Sequence, residues 1–369
     1  MVYFILLILL CFYGVQIYSI IQFQGSSSKG GVSEEKPMVS VLLAARNEEK
    51  LINRCLEALD NLEYDSNRIE ILIGDDNSSD HTAELVTSFI DKKPNFQLFK
   101  VTENMGKARG KANVIAHLAR KAKGEIFFIT DVDVKVPKQW VKSIVSEFSE
   151  NIGIVSGTTK CERGSRFATL QAIDWLHFMG YIKSFSNAGI ACTAVGNNMA
   201  VRSKAYLETG GFEKLDFSIT EDYRLFQAVT ANGWKWKTLL SPETLGLASY
   251  IPSWKEMLQQ RKRWLIGAKD LTPLWKLLLG LYALFTPALF ILLMLDSTWG
   301  MMAWMLKFFI QVVFISMLVN KAKVKPFSLF DYLSYEIYVV VNTLVSVLFF
   351  ILPIKAEWKG RQFSNNDLR

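Results

Sequence analysis

The chain is poor in the residues from which metal centres, disulfide frameworks and imidazole catalysis are built. Its 369 residues hold four cysteines and three histidines. Cys11, Cys55, Cys161 and Cys192 show no paired spacing, which argues against a zinc site or disulfide framework and fits a reducing compartment. His81, His117 and His177 are scattered, so each reads as a surface or partly buried imidazole rather than a metal ligand or triad member. Charge is missing from Met1 to Ile21, which also lacks a basic n-region and an Ala-x-Ala-like site. That segment therefore reads as a retained signal anchor, not a cleaved signal peptide. No internal repeat is present, and the one low-complexity tract is Gln24 to Pro37 (QGSSSKGGVSEEKP), a Ser/Gly-rich linker.

What the chain has in plenty is apolar sequence: 50% of its residues are hydrophobic. Leu277–Leu295 is charge-free, Met301–Val319 is interrupted by Lys307 alone, and Ile337–Ile354 is a third run. With the anchor these read as membrane helices, Lys307 lying near one end from which it snorkels. The chain thus has room for one soluble domain of ordinary size plus several membrane helices. Net charge is +7, and the excess clusters at Lys255, Arg261, Lys262, Arg263 and Lys269, just before the Leu277 helix. By the positive-inside rule this end faces the cytoplasm, as does the Lys321, Lys323, Lys325 loop after an out-and-back hairpin. A full span at 337–354 would then leave Lys355, Lys359 and Arg361 outside; either that helix is re-entrant or the tail breaks the rule. The basic excess is a topology signal and no nucleic-acid motif accompanies it, so no nucleic-acid partner is expected.

Between the apolar segments the rhythm alternates. Strands are expected at Val39–Ala44, Ile69–Ile73, Phe96–Val101 and Glu125–Thr130, with helices at Glu48–Leu59, His81–Ile90 and Lys107–Lys123. This alternation predicts a parallel sheet with helices on both faces. Further on, helices are expected at Pro137–Phe148 and Arg166–Phe185, a strand at Ile152–Gly157, and a helix over Tyr223–Ala231 that Glu221 and Asp222 open and Gly233 ends. Tyr250–Ala268 is basic and Trp-containing, and reads as an interfacial helix. The expected organisation is an anchor at 1–23, a linker at 24–37, an α/β domain at 38–250, an interfacial helix at 251–272, membrane helices at 273–355 and a polar tail at 356–369.

Four small motifs punctuate the polar stretch in order: Asp75-Asp76, Asp131-Val132-Asp133, Thr220-Glu221-Asp222 and Gln260-Arg261-Lys262-Arg263-Trp264. The first two each follow a strand-like run, which puts carboxylates at the C-terminal edge of a parallel sheet, where open α/β folds bind ligands. Asp75-Asp76-Asn77-Ser78 also suits a turn, with Ser79 or Asp80 capping the next helix while Asp76 faces a ligand. Gln260, Arg263 and Trp264 share one helix face by the i, i+3, i+4 rule.

In their order and spacing the motifs resemble the membrane-bound branch of glycosyltransferase family 2, which includes cellulose, chitin and hyaluronan synthases and ceramide glucosyltransferase. The resemblance runs from about Pro37 to Trp264. It implies a GT-A-like, mostly parallel α/β sheet domain with transmembrane helices, and a nucleotide-sugar donor held with Mg2+ or Mn2+. Carried onto this sequence, Ala45, Asn47 and Glu48 with Asp75 and Asp76 contact the nucleoside, and Lys107 of a Gly-Lys stretch reaches a phosphate or the base. Arg109 and Lys111 read as solvated helix charges. Asp131 and Asp133 match the Asp-x-Asp motif. Taking its alternate residues to point to opposite sides assigns Asp133 to the metal and Asp131 to the ribose or an indirect metal contact. Asp222 matches the general base near the acceptor hydroxyl, with Glu221 beside it as a helix-start charge. Gln260, Arg263 and Trp264 match an interfacial motif in which the arginine pairs with the diphosphate and the tryptophan stacks at the acceptor. Arg261 and Lys262 read as lipid-headgroup contacts. Gly196-Asn197-Asn198 and Gly210-Gly211-Phe212 also match, as loops permitting close backbone approach.

The resemblance implies an inverting hexosyltransferase that moves a sugar from a nucleotide donor, UDP-linked by preference, to a hydroxyl acceptor at the cytoplasmic face of a membrane, the inner one if the cell is bacterial. A polymer channel looks undersized with three helices after the catalytic region. Single transfer to a lipid is therefore preferred over processive polysaccharide synthesis, and a non-catalytic nucleotide- or carbohydrate-binding subunit stands third, since every motif carboxylate is present.

Overall fold

The computed structural model describes residues 2–25, 36–352, 354–358 and 361–363; most of the expected linker and of the polar tail lies outside the described residues. The chain opens with helix α1 (Val2–Gln24) and then alternates: β1 (Val39–Ala45), α2 (Ile52–Asp60), β2 (Ile69–Asp75), α3 (Thr82–Ile90), β3 (Phe96–Lys100), α4 (Gly110–Ala119) and β4 (Ile126–Asp131). There follow β5 (Val134–Lys135), α5 (Trp140–Val145), β6 (Ile152–Ser156), β7 (Thr159–Cys161) and the long α6 (Arg166–Asn187). Next come β8 (Asn198–Arg202), α7 (Ser203–Glu208), α8 (Glu221–Ala231), β9 (Lys235–Thr238) and β10 (Gly246–Ala248). Helices α9 (Trp254–Gly267), α10 (Pro273–Leu295), α11 (Ser297–Ala322) and α12 (Leu329–Ile351) complete the main body.

Seven strands form one sheet in the order β3-β2-β1-β4-β8-β6-β9. Only β8 runs against the rest: its pairings with β4 and β6 are antiparallel, and every other pairing is parallel. The sheet is buried on both faces, which is why its central strands read as mostly apolar runs instead of alternating ones; the buried exceptions Ser40 and Glu70 pair with each other, Ser40 donating to Glu70 at 2.6 Å. Val39, Val41, Leu43, Ile71, Ile73 and Phe128 pack into one core with α2 and α5. Leu42, Leu72, Phe127 and Ile129 face the other, with α4 and α8. A small second sheet, β5-β10-β7, closes over the end of β4.

The helix expected from Lys107 starts at Gly110 instead. Gly106 and Gly110 both have positive φ, at 55° and 57°, so the chain turns twice and Lys107 stays in a loop. Strand β8 and the small sheet were not expected at all. Their strands are two to five residues long and carry little periodic signal.

Helices α1, α10, α11 and α12 are each long and apolar enough to cross a membrane. α1 packs with α10 and α11 through Ile5, Leu9, Phe12, Phe285 and Leu289, Phe12 stacking on Phe285 at 3.8 Å. α6 and α9 form the layer that joins these helices to the sheet domain, with α12 against both. Two expectations fail here. α12 begins eight residues before the apolar run at Ile337, and so includes Asp331 and Glu336. Lys307 does not snorkel: it is 7% exposed, and its Nζ donates to both Glu336 oxygens at 2.7 Å. The hydropathy pattern hid this because the compensating carboxylate lies on a different helix.

Both ends of α12 are held by the α6/α9 layer. At its start Arg166 of α6 donates to Asp331, Phe330 O and Ser334. At its end Lys262 of α9 donates to Phe349 O at 3.0 Å and Leu352 O at 2.7 Å, satisfying carbonyls that a helix C-terminus leaves open. Lys262 is thus buried in a capping contact and not turned to lipid headgroups.

Candidate active site

Parallel register assembles the first part of the site. Ala45 of β1 stands opposite Asp75 of β2, and Ala44 opposite Asp131 of β4, so the first two acidic motifs end side by side on the C-terminal edge of the sheet. Asp75 is 4% exposed and accepts from Ser78 N at 3.3 Å with both oxygens. Arg46 donates to the Asp76 carbonyl at 2.5 Å, its guanidinium 3.8 Å from the Asp76 carboxylate. Asn47, at φ 51°, accepts from Ser79 N, and Glu48 N donates to Thr82 at 2.7 Å. Asp80 accepts from Thr82 N at 3.0 Å, but the residue at the N-cap of α3 is His81, not the Ser79 or Asp80 expected, and it makes no side-chain capping bond. The β1 and β2 loops are therefore laced into one rigid lip, with the carboxylates of Glu48, Asp131 and Asp133 close enough to raise the buried Cys55 thiol, already raised by burial itself.

The second part is organised by a lysine that the sequence left among the solvated charges. Lys111, in the first turn of α4, lies 2.5 Å from Asp131 and 3.3 Å from Glu221, and donates to Gly196 O at 3.2 Å. Lys107, expected at the nucleotide, instead pairs with Asp216 at 2.7 Å on the surface, both side chains more than 60% exposed. Glu221 is thus more than a helix-start charge: it is one arm of a network reaching from α8 to the strand edge.

Asp222 accepts from Gly196 N at 3.0 Å and from Tyr223 N at 2.8 Å. A Cβ at position 196 would come within 2.5 Å of Asp222 Oδ2, so glycine is what lets the backbone reach the carboxylate. Burial first, and the Glu221 charge second, push the Asp222 carboxyl up to about 6, against the opposing pull of Lys111 and the two backbone donors.

Helix α9 closes the site from the membrane side. Burial lowers the Arg263 guanidinium from its usual value, while the charges of Glu221, Asp131, Asp222 and Asp133 act to raise it. One arginine therefore senses carboxylates from both acidic motifs. Trp264 stacks on Trp175 of α6, with centroids 5.4 Å apart, and Trp175 donates to Thr159. Gln260 lies half-buried one turn before Trp264. Arg261 does not face lipid: its guanidinium is 2.6 Å from Asp174 of α6 and 4.7 Å from the Trp264 ring centroid. A Cβ on Gly267 would meet the Thr220 side chain at 2.7 Å, so the C-terminal end of α9 seats directly on the Thr220-Glu221-Asp222 motif.

The residues for a divalent ion are Asp131 and Asp133. Residues two apart on a strand share a face, so strand geometry gives no reason to separate the two carboxylates. The chain in fact turns at Val132-Asp133, with Val132 in the core and Asp133 O accepting from Ser249 N at 3.0 Å. Among the described residues no three His, Cys, Asp or Glu side chains converge as a self-sufficient metal cage. Two carboxylates beside an anion-binding face fit a hard ion that completes its oxygen shell with ligand phosphates.

Sequence reasoning missed Trp140, and it gave Asn198 only as part of a loop motif, whereas Asn198 opens strand β8. Trp140 donates to Asn198 Oδ1 at 2.7 Å, and Asn198 Nδ2 donates to Thr158 O and Thr244 O. This knot joins β8 to the small sheet and fixes Gly196-Asn197 beneath Lys111. The one sequence signal for it was the Gly196-Asn197-Asn198 motif.

The chain is 27% identical over 242 residues to a β-monoglucosyldiacylglycerol synthase of Synechocystis, covering 63% of this chain and 48% of the relative. It is 28% identical over 246 residues to a poly-β-1,6-N-acetyl-D-glucosamine synthase of Staphylococcus epidermidis, covering 63% and 55%. The chain spans about half the length of the curated relatives it matches. In fold it is similar to a mannosyltransferase from Pyrobaculum calidifontis solved with GDP-Man and Mn2+, with a TM-score of 0.60, 17% identity, and 95% and 99% of the two chains covered. Residues 2–367 match the glycosyl transferase family 21 description. With a mostly parallel GT-A-like sheet, the acidic motifs on its C-terminal edge and a family match across nearly its whole length, the chain belongs to glycosyl transferase family 21, a GT-A type glycosyltransferase family.

Proposed function

We propose that this glycosyltransferase moves a single sugar from a nucleotide-sugar donor, UDP-linked by preference, to the hydroxyl of a membrane lipid, with inversion. The observation that carries the proposal is the junction at Lys111. That lysine ties Asp131 to Glu221, next to Asp222, with Arg263 facing all three carboxylates. Donor and acceptor groups thus meet where α9 enters the membrane layer.

In this reading Ala45, Asn47, Glu48, Asp75 and Asp76 hold the nucleoside at the lip, carboxylates accepting from base N-H and ribose hydroxyl groups. Asp131 and Asp133 would hold Mg2+ or Mn2+, which supplies neutralising charge for the departing diphosphate. Arg263 makes planar contacts to phosphate oxygens, and Gln260 and Trp264 line the acceptor side. Asp222 takes the proton from the acceptor hydroxyl; a carboxyl near 6 is ionised at neutral pH and still basic enough to help. Lys111 keeps Asp131 and Glu221 together despite their like charge.

A lipid acceptor is favoured over a growing polymer by the small membrane bundle and by the similarity to a diacylglycerol glucosylating enzyme. On topology, α1, α10 and α11 cross the membrane while α12 stays with the α6/α9 layer that grips both its ends. The basic tail then remains on the same side as the catalytic domain, the cytoplasmic side by its charge.

Nucleotide release by detergent-purified protein tests this, with UDP- and GDP-sugars, Mn2+ or Mg2+, and with or without a total lipid extract. Release stimulated by the extract together with a new glycolipid by mass spectrometry is the expected result. A glycanase-sensitive polymer would replace it with the synthase reading, and no release with any donor would sink it.

A further inference from the structure

A cavity of about 30 Å3 lies among α1, α6, α10, α11 and α12. Its wall is largely aromatic and aliphatic, including Phe285, Phe290 and Val340, yet it also holds Gln16, His177 and the Lys307–Glu336 pair. It belongs to the opposite side of α6 from the catalytic cluster. Trp175 and His177 are two residues apart, roughly 200° around a helix; the first packs on Trp264 and the second on Phe314 and Tyr335.

Two polar atoms in this wall are buried without a partner: Gln16 Oε1 and His177 Nε2. Their residues are 3% and 8% exposed. Each such orphan is destabilising because its desolvation is uncompensated, and a ligand making the missing bond removes that cost. The kind of bond follows from the neighbours. Tyr335 donates its hydroxyl proton to Asp174 at 3.0 Å, so toward His177 Nδ1, 3.4 Å away, it is an acceptor. The imidazole proton then sits on Nδ1 and Nε2 is a bare acceptor. Gln16 Oε1 is an acceptor as well. The neighbouring charge is balanced: Glu336 takes two contacts from Lys307, one from Gln311 and one from Trp304.

A site that offers two unpaired acceptors, no net charge and apolar walls selects a neutral hydrogen-bond donor with a hydrocarbon body. It rejects a phosphate headgroup, which brings only acceptors and negative charge. Among its lining residues Tyr282 and Phe290 of α10, 43% and 41% exposed, and the half-buried Val340 of α12 reach the surface and so mark its mouth. α10 packs on α1 and α11, α12 packs on α6 and α9, and α6 packs on α1 and α11 as well, so the cavity is enclosed by α6 behind and bounded by α10 and α12 on its two flanks. We propose that this cavity binds the hydroxyl end of a neutral lipid, with its chains leaving past Phe290 and Val340 into the bilayer. As a holding position for the acceptor it rests on the lipid-transfer reading above; as a lipid site it stands by itself.

The test uses the full chain in nanodiscs of phosphatidylcholine, without donor, and a photoactivatable diacylglycerol as probe. The expected result is labelling of peptides from α1, α10 or α12. Labelling should fall at least tenfold in Gln16→Leu/His177→Phe, and likewise in Val340→Trp, which fills the mouth while leaving every hydrogen bond in place. Thermal unfolding of each variant near the wild-type midpoint shows that the fold is kept. Labelling unchanged in both variants, labelling confined to the outer faces of α10 and α11, equal competition by phosphatidylglycerol, or no labelling at all, as for a cavity holding water, overturns the site. Probe bound and displaced as expected with no glycolipid formed from any donor supports the site and sinks the transfer reading. Glycolipid made at the wild-type rate by Val340→Trp overturns the holding role.

Discussion

Lys111 Nζ stands 2.5 Å from Asp131 and 3.3 Å from Glu221, so one ammonium joins a strand-edge motif to a helix-start motif 90 residues further along the chain. Its side chain is 15% exposed, and the network has no second lysine among the described residues to take its place. Lys107, four positions earlier, serves a surface pair with Asp216.

The two lysines should therefore behave differently. Lys111→Met leaves Asp131 and Glu221 in mutual repulsion and is expected to lower kcat on the order of 100-fold, comparable to losing one transition-state donor. Lys107→Met removes an exposed, solvent-screened pair and should leave kcat and Tm near wild type. Steady-state kinetics on both variants decides it; equal losses would return Lys107 to the site.

Asp222 makes a pH prediction. Its carboxyl is pushed up to about 6 by burial and then by Glu221, and a base must be ionised, so kcat should fall as pH drops through 6. Asp222→Asn should abolish transfer while sparing metal-dependent donor binding; donor binding lost along with transfer would refute the assignment. The sign for stability follows from the same shift. A carboxyl raised on folding opposes folding above its folded value, and the effect vanishes below the ordinary aspartate range. Asp222→Asn is thus expected to raise Tm at pH 8 and to leave it unchanged near pH 3, as thermal unfolding at the two values would show.

Lys307 and Glu336 form a pair 8% exposed on each side. Removing one charge leaves the other buried and uncompensated, which costs about 3–5 kcal/mol, whereas neutralising both is close to neutral. Lys307→Met should unfold at markedly lower temperature than wild type, and Lys307→Met/Glu336→Gln should recover most of the loss. A double variant no better than the single one would mean that the charges do not act as a pair.

The grip on both ends of α12 predicts sidedness. In a background without the four native cysteines, a cysteine at Ala356 should react with a membrane-impermeant maleimide from the same side as one at Ser66 in the sheet domain, and one at Asp296 from the other. Labelling of positions 296 and 356 from one side would mean that α12 crosses.

Much of this architecture was legible in the sequence. Strand runs at β1, β2 and β4 were mostly apolar because both faces of the sheet are covered, and parallel register then put Asp75 and Asp131 side by side. What was not legible depended on partners distant in the chain. Nothing near Lys111 announces Asp131 or Glu221, and nothing near Lys307 announces Glu336. Arg261 and Lys262 looked like headgroup ligands because their partners, Asp174 and the last carbonyls of α12, come from other helices. Asp174, an acid among the apolar residues Ala172, Ile173, Trp175 and Leu176, was the available hint that α6 meets a buried cation.

The close seat of Gly267 on Thr220 has a mechanical meaning. At that point the α9 backbone rests directly on the Thr220 side chain with no Cβ of its own between them, and Thr220 leads straight into α8, which carries Asp222. A side chain at position 267 would push α9 away from α8, so the spacing between Arg263 and Asp222 depends on that one missing Cβ.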